Sequence, residues 1–82
     1  PLFYAENVVD TGFAKHIGKT NEHLKLCLRE VGNTTYFDTI GFGLAHKLPL
    51  ITSGKPFSIV YSVEENMWNG KVNLQLQIRD IR

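Results

Sequence analysis

Basic and aromatic side chains that could hold a nucleic-acid strand occur in two parts of this sequence. Between residues 15 and 29 they are Lys15, Lys19, His23, Lys25 and Arg29. Trp68 and Lys71 flank an Asn-Gly pair later in the chain. Lysine and arginine neutralise phosphates, and an exposed aromatic ring gives a base a stacking surface. Phe37 is a further candidate for stacking. These residue types predict a groove that binds a single strand.

Each of these residues also has a purely structural explanation. Lys15 and Lys19 could be solvated loop residues, and Lys25 and Arg29 could be exposed only because neighbouring leucines are buried. Trp68 could pack across its own hairpin. The net charge is only +1, so bulk charge gives no support for nucleic-acid binding. The hypothesis depends on where the charges lie.

No set of residues in the sequence is typical of an active site. Glu64 and Glu65 are adjacent, so in a strand they would point to opposite sides. Cys27 could act as a nucleophile only with a neighbouring base, and the sequence identifies no histidine or carboxylate in that role. His16 and His23 are seven positions apart, without a ligand set typical of a metal site. We therefore expect no catalytic activity and no bound metal in this chain.

The elements that must position these residues are strands. Residues 23–29, 57–63 and 72–80 alternate apolar and polar side chains, which is typical of half-buried strands. Two further strands are predicted at about residues 6–13 and 35–42. Turns are predicted at residues 17–22, 31–34 and 53–56, and Asn69-Gly70 is a strong hairpin signal.

The segment from residue 43 to residue 51 has no strand pattern. Gly43 and Pro49 limit a helix there to one or two turns. Five strands with a short helix between the third and fourth is the order of an OB-type barrel. We predict an all-β, five-stranded barrel of this type, with residues 1–82 forming one domain. If Ile40 and Phe42 belong to the core, the alternation turns Phe37 outward.

Composition limits the environment of the protein. One cysteine, Cys27, excludes an intrachain disulfide and fits a reducing compartment, so we expect a cytoplasmic location. No apolar run approaches the ~18 residues of a membrane span. The chain begins at Pro1, without an initiator methionine or the pattern of a signal peptide. We expect it to be a piece of a larger protein.

Four blocks of the sequence resemble, in order and spacing, the OB domain of bacterial RecJ. RecJ is the single-strand-specific 5′-to-3′ DNA exonuclease of the DHH phosphoesterase superfamily. The blocks are HLKL at 23–26, FDTIGF at 37–42, NMWNG at 66–70 and LQLQIRDI at 74–81. Lys15 and Gly18 also match the family's pattern of a basic residue and a glycine before the first block. The family often has arginine where Lys15 stands, and lysine lacks arginine's bidentate fork.

The resemblance implies an accessory domain that holds single-stranded DNA for a neighbouring catalytic core in DNA repair and recombination. The implied partners are single-stranded DNA and the catalytic domains of the parent chain, with no membrane partner. The implied metal, Mn²⁺ or Mg²⁺, belongs to aspartate- and histidine-rich motifs of that catalytic core. This sequence lacks those motifs, so we expect no cofactor and no nuclease activity here.

An alternative function is structural. The barrel would brace the catalytic domains, or dock a protein, without contacting DNA itself. An exposed apolar patch around Leu2, Phe3 and Tyr4 would favour this alternative. Scattered basic residues and a buried Trp68 would favour it too.

Overall fold

The chain folds into strands joined by one short helical segment. The computed structural model describes residues 1–82, with only the backbone described for Trp68. The strands are β1 (Phe3–Asp10), β2 (Lys15–Ile17), β3 (His23–Glu30), β4 (Phe37–Gly41), β5 (Phe57–Trp68) and β6 (Lys71–Ile81). A 3₁₀ turn (Ala45–Lys47) and a helix, α1 (Leu48–Ile51), lie between β4 and β5. In the described part of the chain, no helix has the length and apolar character needed to cross a membrane.

The strands close into a ring. β1 pairs with β5, β5 with β6, β6 with β4, β4 with β3, and β3 returns to β1. The β4–β6 pairing is parallel and the others are antiparallel. β1 and β2 both pair with β3, so together they fill one strand position. The predicted fold class is confirmed: five strand positions, with the helix after the third.

The first strand position is interrupted, which the alternation did not predict. A single strand was expected at about residues 6–13, but β1 ends at Asp10 and β2 begins at Lys15. Gly12 has a φ of +99°, in a region that favours glycine. Thr11 donates its N–H and its hydroxyl to the Cys27 carbonyl, at 3.0 and 2.8 Å. These bonds hold the bend against β3, so Lys15 lies in a strand and not in a loop.

The alternating apolar residues of β3 form the centre of the core. Leu24, Leu26 and Leu28 are fully buried inside the ring, as their spacing predicts. Burying one such side chain contributes about 1.5–3 kcal/mol to stability. The other buried apolar residues are Val8, Ile51, Phe57, Ile59, Ile78 and Ile81. Because the leucines face inward, the residues between them face solvent.

The orientation of β4 is opposite to the one in which Ile40 and Phe42 are core. Thr39 is fully buried and pairs with Leu26 on β3 and Leu76 on β6. Its hydroxyl is satisfied by donating to the Phe37 carbonyl at 2.9 Å. A Cβ on Gly41 would lie 3.2 Å from Leu44, so Leu44 covers the inner side of that glycine. Ile40 and Phe42 therefore lie on the outside.

The β5–β6 hairpin extends past the ring. Its pairing continues to Trp68 opposite Lys71, whereas β1 pairs with β5 only as far as Tyr61. The predicted Asn-Gly turn is confirmed. Asn69 and Gly70 both have positive φ, 49° and 74°, as in the turn type that suits two-residue hairpins. β5 is longer than predicted because the alternating pattern fades after Val63, where the hairpin leaves the core, and β6 exceeds the predicted strand by one residue at each end.

Candidate nucleic-acid interface

The outward residues of β2, β3 and β4 form one continuous surface, which we call the outer face. Its rows follow from strand register. One row contains Ile17 and His23, and the next contains Lys15, Lys25 and Ile40. Cys27 and Asp38 form a third row. Residues opposite each other on paired strands lie on the same side of a sheet, so these rows are neighbours.

Two predicted phosphate contacts are brought together on this face. Lys15 and Lys25 are directly opposite each other in the β2–β3 pairing. Their Cβ atoms are therefore about 5 Å apart, and like charges in that position repel. Lys25 Nζ lies 2.7 Å from Asp38 Oδ1, which offsets part of the repulsion. Lys15 is exposed and forms no ion pair with another described side chain. The pair leaves net positive charge on the outer face.

The other basic residues that were predicted to contact DNA lie at the borders of the outer face. Lys19 is exposed in the turn between β2 and β3, where the Asn21 N–H donates to the Gly18 carbonyl at 3.3 Å. Arg29 is four residues along β3 from Lys25, a distance of about 13 Å. Lys71 is exposed at the tip of the β5–β6 hairpin. The five cations therefore lie on or beside β3, in the β2–β3 turn and at the tip of the β5–β6 hairpin. They are Lys15, Lys19, Lys25, Arg29 and Lys71.

His23 is held on both sides of its ring. Its Nδ1 accepts a hydrogen bond from the Gly43 N–H at 2.8 Å, and its Nε2 lies 3.0 Å from Glu22 Oε1. The hydroxyl and N–H of Thr20 also donate to the Glu22 carboxylate. The bond from the Thr20 hydroxyl is the main reason that the pKa of Glu22 is lowered from its ordinary value. His23 is therefore a fixed part of this face.

The hypothesis that turned Phe37 outward required Ile40 and Phe42 to be core, and this condition is not met. Phe37 pairs with Leu28 and shares the inward side of β4 with Thr39. It is 42% exposed because it lies where the ring opens. The backbone of Trp68 is paired with Lys71, but its side chain lies outside the described residues, so its predicted exposure stays a prediction.

One exposed aromatic residue of the outer face was missed by sequence reasoning. Phe42 is 52% exposed, and its ring meets that of His23 edge-on, with centroids 5.2 Å apart. In the sequence, Phe42 resembles a core residue, because it is apolar and lies two positions after Ile40 in a predicted strand. The one signal in the sequence that could have indicated its exposure was Gly41. Because Gly41 has no side chain, Leu44 can cover the inner side of β4 there.

The ring opens at one end into an apolar cavity of about 350 Å³. We call this the apolar mouth. Its apolar lining consists of Ala5, Val8, Leu28, Tyr36, Phe37, Ile59, Tyr61, Val63, Leu74 and Leu76. Leu74 is 64% exposed on the projecting hairpin, and Met67 and Val72 continue the apolar surface towards its tip. The apolar mouth belongs to the inward side of the sheet, opposite the outer face.

No group of three or more metal-ligating side chains occurs among the described residues. Cys27 is a free, half-buried thiol on the outer face. Asp38, its cross-strand partner, begins a chain of polar side chains across β4, β6 and β5. Gln75 donates to Asp38 at 3.1 Å, and Asn66 donates to Gln75 at 2.9 Å. This arrangement places hydrogen-bonding side chains beside the cations of the outer face.

A ring of five strand positions, with a parallel pairing of the third and fifth and a helix after the third, defines an OB-type domain. Domains of this class bind ligands without catalysing a reaction on them. The family model of the RecJ OB domain matches residues 1–80, so the chain belongs to the RecJ OB-domain family. No curated protein matches the chain.

Proposed function

We propose that this domain binds single-stranded DNA and positions the strand for the catalytic core of a RecJ-like 5′-to-3′ exonuclease in DNA repair and recombination. The observation that carries the proposal is the cross-strand pair of Lys15 and Lys25 on the outer face. Two lysines whose Cβ atoms are about 5 Å apart repel each other, and an anion bound between them offsets this repulsion. DNA supplies such anions at regular spacing.

The path of the strand follows from the positions of the other cations. It runs from the Lys19 turn, over Lys15 and Lys25, and along β3 to Arg29. Lys71, with Trp68 beside it, would meet the strand from the second hairpin. One OB domain covers about 4–16 nucleotides, so the isolated domain should bind weakly. Hydrolysis, with its Mn²⁺ or Mg²⁺, would belong to other domains of a cytoplasmic parent protein.

The test is a binding titration of the isolated domain with fluorescently labelled oligothymidine at several salt concentrations. The double variant Lys15→Gln/Lys25→Gln should bind more weakly. It should also lower the slope of log affinity against log salt by about 2, because each lost phosphate contact removes about 1.

Lys55→Gln/Arg82→Gln is the matched control. It also removes two positive charges, near the start of β5, where Arg82 pairs with Ser58 through the backbone. This control should keep the wild-type slope. Equal effects of the two double variants would contradict a defined DNA path, and so would equal affinity for duplex DNA.

A specific observation also favours the alternative function of docking within the parent chain. The apolar mouth and the hairpin around Leu74 and Met67 present apolar surface that a soluble domain normally covers. Leu2, Phe3 and Tyr4 are exposed as well, as that hypothesis expected. The apolar mouth lies on the inward side of the sheet, and Arg29 and Asp38 line its edge. Docking there would leave Lys15, Lys25 and Phe42 of the outer face free for DNA.

A further inference from the structure

Phe42 is an exposed aromatic ring that rests against a side chain held in place by hydrogen bonds. It follows β4, and its ring contacts His23 at an interplanar angle of 81°. His23 is itself held by the Gly43 N–H and by Glu22. Since the ring beneath Phe42 is fixed and half of Phe42 remains exposed, little conformational freedom is lost when a flat ligand stacks on it.

The charges around Phe42 limit the kind of ligand. Lys15 and Lys25 lie two residues along their strands from Ile17 and His23, a distance of about 7 Å. The Glu22 carboxylate lies 3.0 Å from His23 Nε2, and Glu22 precedes His23 in the chain, whereas Lys25 follows it. The carboxylate carries a negative charge at neutral pH. A ligand therefore needs a flat uncharged part over Phe42 and an anionic part towards the two lysines. A nucleotide of a DNA strand has this form.

We propose that Phe42 is a base-stacking subsite of the outer face, with one base of single-stranded DNA on its ring and the neighbouring phosphate between Lys15 and Lys25. This inference rests on the proposed function and adds a residue to it. Phe42, supported by His23, would contact a base where the first turn meets β3. Trp68 and Phe37 were the residues that the sequence suggested for stacking.

The experiment compares two single strands of equal length and charge: oligothymidine, and an oligomer of abasic sites. Phe42→Ala should weaken oligothymidine binding about 5- to 150-fold, the range for loss of one stacked base. It should leave binding of the abasic oligomer and the salt slope unchanged. Phe42→Trp should restore oligothymidine binding. Tyr4→Ala, which removes an exposed aromatic ring from β1, is the control and should bind both strands like the wild type.

A second measurement does not depend on a substitution. In the wild-type domain, the ring-proton NMR signals of Phe42 should move upfield on addition of oligothymidine and stay unchanged with the abasic oligomer. Equal loss of affinity for both strands in Phe42→Ala, or no loss, would overturn the stacking subsite alone. Absence of salt-dependent binding by the wild-type domain would overturn the proposed function and the subsite together.

Discussion

The Glu22 side chain stabilises the turn between β2 and β3, at the edge of the outer face. Its carboxylate accepts hydrogen bonds from the Thr20 N–H and hydroxyl and lies beside His23. These bonds favour the ionised form, so the pKa of Glu22 falls below its ordinary 4.5. Because the folded-state pKa is lowered, the stabilisation is complete above about pH 4.5 and is lost as the pH falls through the lower value.

Thr20→Val should therefore raise the pKa of Glu22 towards 4.5, because it removes the hydroxyl that makes the largest contribution. An NMR titration of the Glu22 side-chain carboxyl carbon measures this pKa directly. Thr52→Val is the control, since the Thr52 hydroxyl donates to the Leu48 carbonyl in α1 and has no contact with Glu22. A pKa of Glu22 that is the same in Thr20→Val and in wild type would show that the hydroxyl is not the cause.

Among the elements, β3 links the core to the outer face. Its leucines are buried, and Lys25, Cys27 and Arg29 lie between them on the solvent side. It pairs with β1, β2 and β4, so its register decides which residues of those strands become neighbours. The juxtaposition of Lys15 with Lys25 depends on this register, because a shift by one residue would turn one lysine inward.

Leu26→Ala should lower the free energy of unfolding by about 2–5 kcal/mol, because it leaves a cavity in a fully buried position. Urea unfolding monitored by circular dichroism measures the change. Cys27→Ala, at the next position on the outer face, should change it by only about 1 kcal/mol or less. Similar losses in both variants would mean that β3 does not separate a buried side from an exposed side.

On the scale of the whole molecule, the ring has two candidate binding surfaces, one on each side of the sheet. The outer face carries cations and Phe42, whereas the apolar mouth opens on the inward side and continues along the projecting hairpin. Arg29 and Asp38 border both surfaces, whereas Lys15, Lys25 and Phe42 do not line the cavity. Under the proposed function, another domain would dock at the apolar mouth while DNA lies on the outer face.

The substitution Leu74→Ser tests docking at the apolar mouth separately from DNA binding at the outer face. In the isolated domain it should change neither DNA affinity nor stability by much, since Leu74 is mostly exposed. In the intact parent protein it should lower the thermal unfolding midpoint, because an apolar contact between domains is lost. Phe13→Ser, at an exposed residue between β1 and β2, is the control. If the parent protein and the isolated domain respond identically to Leu74→Ser, the apolar mouth is not a docking surface.

Local patterns in the sequence determined most of the fold. Alternation in β3, β5 and β6 specified strands with one apolar side, and Asn69-Gly70 specified the hairpin between the last two. Both signals depend only on residues close in the chain, since side-chain direction has a period of two and the turn needs two positive φ angles. The order of strands and helix then indicated the barrel class.

Only the tertiary structure decided which side of β4 faces inward and which cations meet. Apolar residues occur on both sides of β4, so alternation alone leaves two choices. Packing of Thr39 between Leu26 and Leu76, with Leu44 over Gly41, selects the one that exposes Phe42. Likewise, Lys15 meets Lys25 because the bend after β1 sets the register of β2 on β3. Such pairings are fixed by contacts between distant segments, which no local pattern records.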